Sequence, residues 1–157
     1  MTTYSLSGAM PGLPDPEIDR QFYEGVPMRR FVAWLVDVAI ILLIGVPLAL
    51  VFGLLTLGFG FALFPLIVGG VGFLYRTYLL ASASATLGMR FTGIEFRRSD
   101  GTRFDLLFAL LHTAIYFVCI SVFPLQLVSC ATIVGTRYRQ SLGDIILGTT
   151  AINRPAE

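Results

Sequence analysis

From Val38 to Tyr75 the chain carries no charged side chain, and that gap decides most of what it can fold into. As one helix the stretch would run ~57 Å at ~1.5 Å per residue, almost twice the ~30 Å hydrocarbon thickness of a bilayer. It therefore has to turn back on itself. Three glycines in Gly53-Leu54-Leu55-Thr56-Leu57-Gly58-Phe59-Gly60 relax the backbone there. This predicts one helix over about 30–52 going out and a second over about 61–80 returning. Arg76 then falls near the end of the returning helix, from where its side chain can snorkel to the head groups.

Composition agrees with that reading. A 157-residue chain that is 55% hydrophobic, with a mean hydropathy of +0.79, is too apolar for a soluble domain of its size. All eleven basic residues are arginine and the net charge is +1, so there is no broad basic face and nucleic-acid binding is not expected. Cys119 and Cys130 lie inside an apolar run and read as small apolar side chains. Residues 1–28, with the proline-broken run Met10-Pro11-Gly12-Leu13-Pro14-Asp15-Pro16, read as an irregular, mildly acidic cytoplasmic tail. Arg29 and Arg30 come too late, and the apolar run after them is too long, for a cleaved signal peptide.

Beyond Ala81 the character changes. Ile94-Glu95-Phe96-Arg97 alternates like a strand and Asp100-Gly101 is a turn signal, which predicts a short β-hairpin over about 90–104 at the membrane surface. It carries four of the eleven arginines, so the positive-inside rule places it, with Arg29 and Arg30, in the cytoplasm. The next apolar run, Leu106 to Thr136, would make a helix of ~46 Å, too long for one upright span and short for two. Pro124 is the expected break, giving helices over about 106–122 and 124–136. A return at that point keeps Arg137 and Arg139 inside, whereas a single tilted helix would put them outside. Residues 148–153 are strand-like and can pair with the Ile94–Arg97 edge only if both lie on one side. The expected fold is thus an all-α membrane protein: three to four transmembrane or re-entrant helices and a small cytoplasmic β-hairpin, in one membrane domain over 29–153, with a tail at 154–157.

Three blocks carry a resemblance. Arg30-Phe31-Val32-Ala33-Trp34-Leu35-Val36-Asp37, then Ala85-Thr86-Leu87-Gly88-Met89-Arg90-Phe91-Thr92-Gly93-Ile94, then Arg139-Gln140-Ser141-Leu142-Gly143-Asp144-Ile145-Ile146-Leu147-Gly148-Thr149 resemble, in that order, the RDD family of membrane proteins. The family is named for one arginine and two aspartates, which the resemblance places at Arg30, Asp37 and Asp144, over about residues 28–153. Met89 departs from the pattern, since relatives usually carry a lysine beside the position of Arg90. The resemblance implies membership of larger membrane assemblies, or transport, including cation/proton exchange.

The residues can also be read on their own chemistry. Arg30 and Asp37 are seven positions apart, so on a helix they share a face within ~20° and lie ~10 Å apart along the axis. An ionised Asp within a bilayer needs a partner. Asp37 is then either a proton or cation ligand or, on the plainer reading that the scarcity of mid-membrane polar groups favours, a clamp meeting Arg30, Arg90 or a backbone donor of the third helix. Asp144 reads as an interfacial cap or a partner of Arg90 or Arg139, and His112 as a candidate proton relay or a hydrogen-bonded packing residue. Gly45, Ala49 and Gly53 have the small-xxx-small spacing of close helix contact.

No nucleophile with its base, metal-ligand cluster or phosphate loop is visible, so neither an enzyme nor a cofactor is expected. The remaining roles are an accessory or assembly subunit of a bacterial inner-membrane complex, an oligomeric transporter or cation/proton exchanger using Asp37, and a module whose Arg90, Arg97, Arg98 and Arg103 meet anionic lipid. Partners in each case are the bilayer and other membrane subunits or further copies of the chain.

Overall fold

The computed structural model describes residues 10–154; the parts of the expected tails at 1–9 and 155–157 lie outside the described residues. Helix α1, Val26–Leu55, starts with Pro27 in its first turn, where the missing N–H would have had no partner anyway. A tight reversal and a 3-10 turn at Phe59–Leu63 lead into α2, Phe64–Ala83. Gly58 sits at φ +97°, a conformation open to glycine, and Gly53 leaves room for the Phe61 ring, which would stand 2.3 Å from an added Cβ. Thr56 Oγ1 closes the reversal by accepting from the Gly60 N–H at 2.7 Å. Both helices are long and apolar enough to cross a membrane.

Along this pair the usual rule of burial is inverted. Gly45, Ala49 and Gly53 are the buried positions of the outgoing half of α1, while Leu43, Leu54, Leu66 and Leu74 are each at least 70% exposed. A Cβ on Gly45 would lie 3.3 Å from the Val68 Cα, so the two backbones approach as small residues permit. Among the described residues, large apolar side chains are buried at the other end. There Val26, Leu80, Ile94, Phe96 and Phe104 form one cluster of ordinary globular type. At roughly 1.5–3 kcal/mol per fully buried large apolar side chain, it is this cluster that gains from water exclusion.

That end is built from two similar pieces. Helix α3, Leu87–Thr92, is capped by the Thr86 hydroxyl, stops at Gly93 in the left-handed region, and runs into strand β1, Ile94–Arg98. Helices α4, Leu106–Ser121, and α5, Phe123–Gly135, follow. Then α6, Leu142–Leu147, is capped by the Ser141 hydroxyl, stops at Gly148 in the left-handed region, and runs into strand β2, Thr149–Asn153. Cap, glycine and strand recur 55 positions apart, and the two strands pair antiparallel, Ile94 opposite Asn153 and Arg98 opposite Thr149.

The expected hairpin over 90–104 is therefore corrected. The turn does form, with the Arg98 N–H bonded to the Thr102 carbonyl, but it has no second strand. Phe104 gives its N–H to Ser84 Oγ at 2.7 Å and Phe96 gives its own to the Ser84 carbonyl at 2.7 Å, so the link between α2 and α3 occupies that edge. The partner of β1 is the distant β2, and residues 87–92 are helix.

α4 and α5 meet at Val122 with a bend of 118°, Pro124 standing in the first turn of α5. A single tilted helix over 106–136 is not formed, and β2 returns to the side of β1. The described part of the N-terminal tail is irregular but docked. Gly12 lies so close to the Asp100–Gly101 turn that a Cβ there would overlap its backbone, and Asn153 Nδ2 bonds the carbonyls of Gln21 and Glu24 at 2.7 and 2.9 Å.

A second close approach is the most exacting. A Cβ on Gly88 would stand 2.1 Å from the Ala33 carbonyl oxygen, whereas Gly70 of α2 has open space around it. Gly88→Ala is expected to destabilise the detergent-solubilised protein by about 1–3 kcal/mol through overpacking, and Gly70→Ala to be neutral or to gain up to about 1 kcal/mol. Thermal melts followed by circular dichroism compare the two; equal midpoints would contradict the packing of α1 on α3.

Candidate functional site

Asp37 is 3% exposed and lies on the face of α1 that meets α2 and α3. Its Oδ1 accepts from the Tyr75 hydroxyl at 2.6 Å and the Gly88 N–H at 2.9 Å, and its Oδ2 accepts from the Thr86 hydroxyl at 2.6 Å. Thr86 Oγ1 in turn accepts from the Met89 N–H at 3.2 Å, so one carboxylate holds the start of α3 against both long helices. The expected arginine partners are not there: Arg30 goes elsewhere, and Arg90 is exposed and makes no ion pair among the described residues. The backbone donor is the Gly88 N–H of α3, a segment that overlaps the expected hairpin, rather than a group of the helix expected over about 106–122.

Asp144, expected at the interface, has no exposed side-chain surface. Its Oδ2 accepts from Arg30 Nη2 at 2.6 Å and from the Ser141 N–H and hydroxyl at 2.9 and 2.8 Å. Its Oδ1 takes the Nε2–H of His112 at 2.9 Å and the Thr149 hydroxyl at 3.1 Å. The residue is both half of the capping box of α6 and the counter-ion of α1, and neither Arg90 nor Arg139 approaches it. Burial by itself pushes its carboxyl pKa up, but the Arg30 guanidinium, the His112 hydrogen bond and the Ser141 N–H outweigh this and hold it well below the usual carboxylate range.

His112 meets Asp144 through Nε2, and since a carboxylate only accepts, that nitrogen carries the proton. Its Nδ1 is buried without a partner among the described residues, so its one protein contact for a relay is Asp144. Arg76 does not snorkel. It is 8% exposed, and its guanidinium lies 4.2 Å from the centre of the Tyr116 ring, whose hydroxyl accepts from Trp34 Nε1 at 2.9 Å. Arg30, Asp37, Arg76 and His112 all line one cavity of about 480 Å³ between α1, α4 and α5. Gly45, Ala49 and Gly53 lie away from it, in the contact of α1 with α2 and its connecting turn. Cys119 and Cys130 are free thiols.

Of the four arginines considered for lipid contact, three are engaged within the protein. Arg97 and Arg103 both pair with Glu95, which is 1% exposed, and Arg98 reaches Asp105 at 3.5 Å with the Phe108 ring 3.9 Å away. Tyr75, Thr86, Ser141 and Thr149 are the site residues that a reading of the sequence missed. The signal for two of them was the repeated cap, Thr86-Leu87-Gly88 and Ser141-Leu142-Gly143.

Two helices of spanning length and a broken third, tied at one end by buried carboxylates, define a small helical protein of the membrane-spanning type by length and composition. Residues 25–148 match the RDD family, and the chain belongs to it. Family and apolar helices together mark a membrane protein. No curated protein and no solved structure matches the chain.

Removing Arg30 leaves Asp144 buried with its charge uncompensated, so Arg30→Ala is expected to cost roughly 3–5 kcal/mol in chemical unfolding. The pH dependence has a fixed sign. A carboxyl lowered by folding contributes stability above its unfolded pKa of about 3.9 and loses it as pH falls toward the depressed folded value. The stability gap between wild type and Asp144→Asn should hold steady above about pH 5 and close progressively below pH 4; a gap that widens in acid would contradict the assignment.

Proposed function

We propose that this protein is a non-catalytic accessory or assembly subunit of a larger inner-membrane complex, with Arg30, Asp37 and Asp144 acting as a structural clamp. The observation that carries this reading is engagement: each oxygen of both aspartates already accepts a hydrogen bond from a distant part of the chain. A cation site needs several free lone pairs, whereas Asp37 already holds three donors from two elements, which leaves about one of its roughly four acceptor positions open. Two spanning helices and a bent pair also enclose little of a pathway without other subunits.

The end bearing the sheet faces the cytoplasm in this reading. Arg29 and Arg30, the arginines of β1 and the following turn, and Arg154 gather there, while the reversal from Thr56 to Leu63 has no charge. That distribution is what the positive-inside rule requires, and it puts the N-terminus inside. Single cysteines at Ser99 and Asn153, in a background with Cys119 and Cys130 replaced, should both react with a membrane-impermeant maleimide only in inside-out vesicles; labelling of either from the outside would reverse the orientation.

Native purification in mild detergent followed by size-exclusion chromatography and mass spectrometry tests the assembly role. A stoichiometric membrane partner is expected, with its recovery falling in Asp37→Asn in parallel with the thermal midpoint. The exchanger reading wins instead if liposomes holding the chain alone show cation-dependent proton flux that Asp37→Asn abolishes at an unchanged midpoint.

A further inference from the structure

We propose that the cavity between α1, α4 and α5 binds the oxyanion head of an acidic amphiphile, a phosphodiester or carboxylate borne on an acyl chain, with Arg76 as its principal contact. The inference shares with the assembly role only the premise that the chain lies in a bilayer. Arg76 is the group in the wall without an acceptor. It is 8% exposed, its Nε is buried with no partner, and it makes no hydrogen bond or ion pair among the described residues. Tyr116 covers one face of the guanidinium at 4.2 Å, which leaves the in-plane N–H edge, the part that grips a carboxylate or phosphate bidentately.

The acids nearby are committed elsewhere. Asp37 in the same wall spends its oxygens on Tyr75, Thr86 and Gly88, and Asp144 is already the counter-ion of Arg30. A guanidinium withdrawn from bulk water needs an opposite charge, a carbonyl or cavity water, and an anion from outside the chain would meet that need with both charge and in-plane geometry. A cation is disfavoured, because the cavity presents two guanidinium groups, Arg30 and Arg76.

The rest of the wall selects the tail. Phe31, Cys119, Ile120, Ile133 and Val134 give an apolar lining, and about 480 Å³ is within the usual range for a small-molecule site. Phe31 and Val134 are 55% and 64% exposed, so the lining continues onto the outer surface of the helices, where an acyl chain would lie. Arg97, Arg98 and Arg103 near the sheet are already paired with Glu95, Asp100 and Asp105, and the exposed Arg29 and Arg90 do not line this cavity.

The protein carries its own reporter, because Trp34 is the single tryptophan and lines the cavity. Trp34 fluorescence of the full chain in dodecyl maltoside would be titrated with three brominated probes: phosphatidylglycerol, stearate and phosphatidylcholine. At least one anionic probe should quench saturably at a mole fraction about tenfold lower than phosphatidylcholine, a difference that corresponds to ~1.4 kcal/mol. Arg76→Gln should remove that preference and Arg76→Lys retain part of it. Quenching by phosphatidylglycerol alone identifies a lipid phosphodiester with no cation beside it, since phosphatidylcholine carries the same ester next to choline; quenching by stearate alone identifies a fatty carboxylate, and reversal of either by inorganic phosphate shows that the head is the recognised part. Equal quenching by phosphatidylcholine and the anionic probes in the wild type, or an undiminished preference in Arg76→Gln, overturns the proposal. Should Arg76→Gln not fold, the wild-type comparison decides alone. Failure here leaves the assembly role standing, because co-purification does not depend on this cavity.

Discussion

The contact on which most of this fold depends is the pair between Arg30 and Asp144, 114 residues apart in sequence and 2.6 Å apart in space. Through one carboxylate it joins α1, α4 by way of His112, the cap of α6 by way of Ser141, and β2 by way of Thr149. An isolated buried carboxylate would be prohibitive, and what makes this one tolerable is that every donor around it is oriented and the nearest is cationic. Asp37 repeats the device without a cation, using two hydroxyls and a peptide N–H to fix α3 against α1 and α2.

These two clamps sit where the chain changes solvent. In the outer part of the α1–α2 pair, glycine and alanine face inward and leucine faces outward, so packing rests on close backbone approach rather than on exclusion of water. Around the sheet the order is the ordinary one, with Ile94, Phe96 and Phe104 inside. Polar clamps with fixed partners add to the register of a contact otherwise made by close backbone approach. The cavity opens beside this junction, which is why its wall combines arginines with an apolar lining.

What was legible in the sequence was local. The uncharged run required two helices, the glycines marked their reversal, and Pro124 marked a break two residues from the bend at Val122. Glu95 and Arg97 alternate with Ile94 and Phe96, and the strand is there. One pairing across the chain was legible, residues 148–153 with the Ile94–Arg97 edge; the side-chain pairings were not, because periodicity assigns a residue to a face and says nothing of which distant segment will meet that face. Arg30 and Asp37 do share a side of α1, yet one meets α6 and the other α3. The Asp100-Gly101 turn suggested a local hairpin, and only Ser84, folded back against both Phe96 and Phe104, explains why the second strand comes from residues 149–153 instead. The duplicated unit of cap, short helix, glycine and strand is visible in the letters once its 55-residue offset is known, but two short blocks with few identical residues do not announce themselves.

The span between Arg30 and Asp144 also sets a clock. At ~5–20 residues per second, a ribosome needs about 6–23 s to make the 114 residues that separate them. For the later part of that interval α1 and α2 are complete, while Arg30 has not met the carboxylate that later neutralises it. During biogenesis the helical hairpin must rest on transient company, from head groups, water or the insertion machinery, until the C-terminal repeat arrives and displaces it.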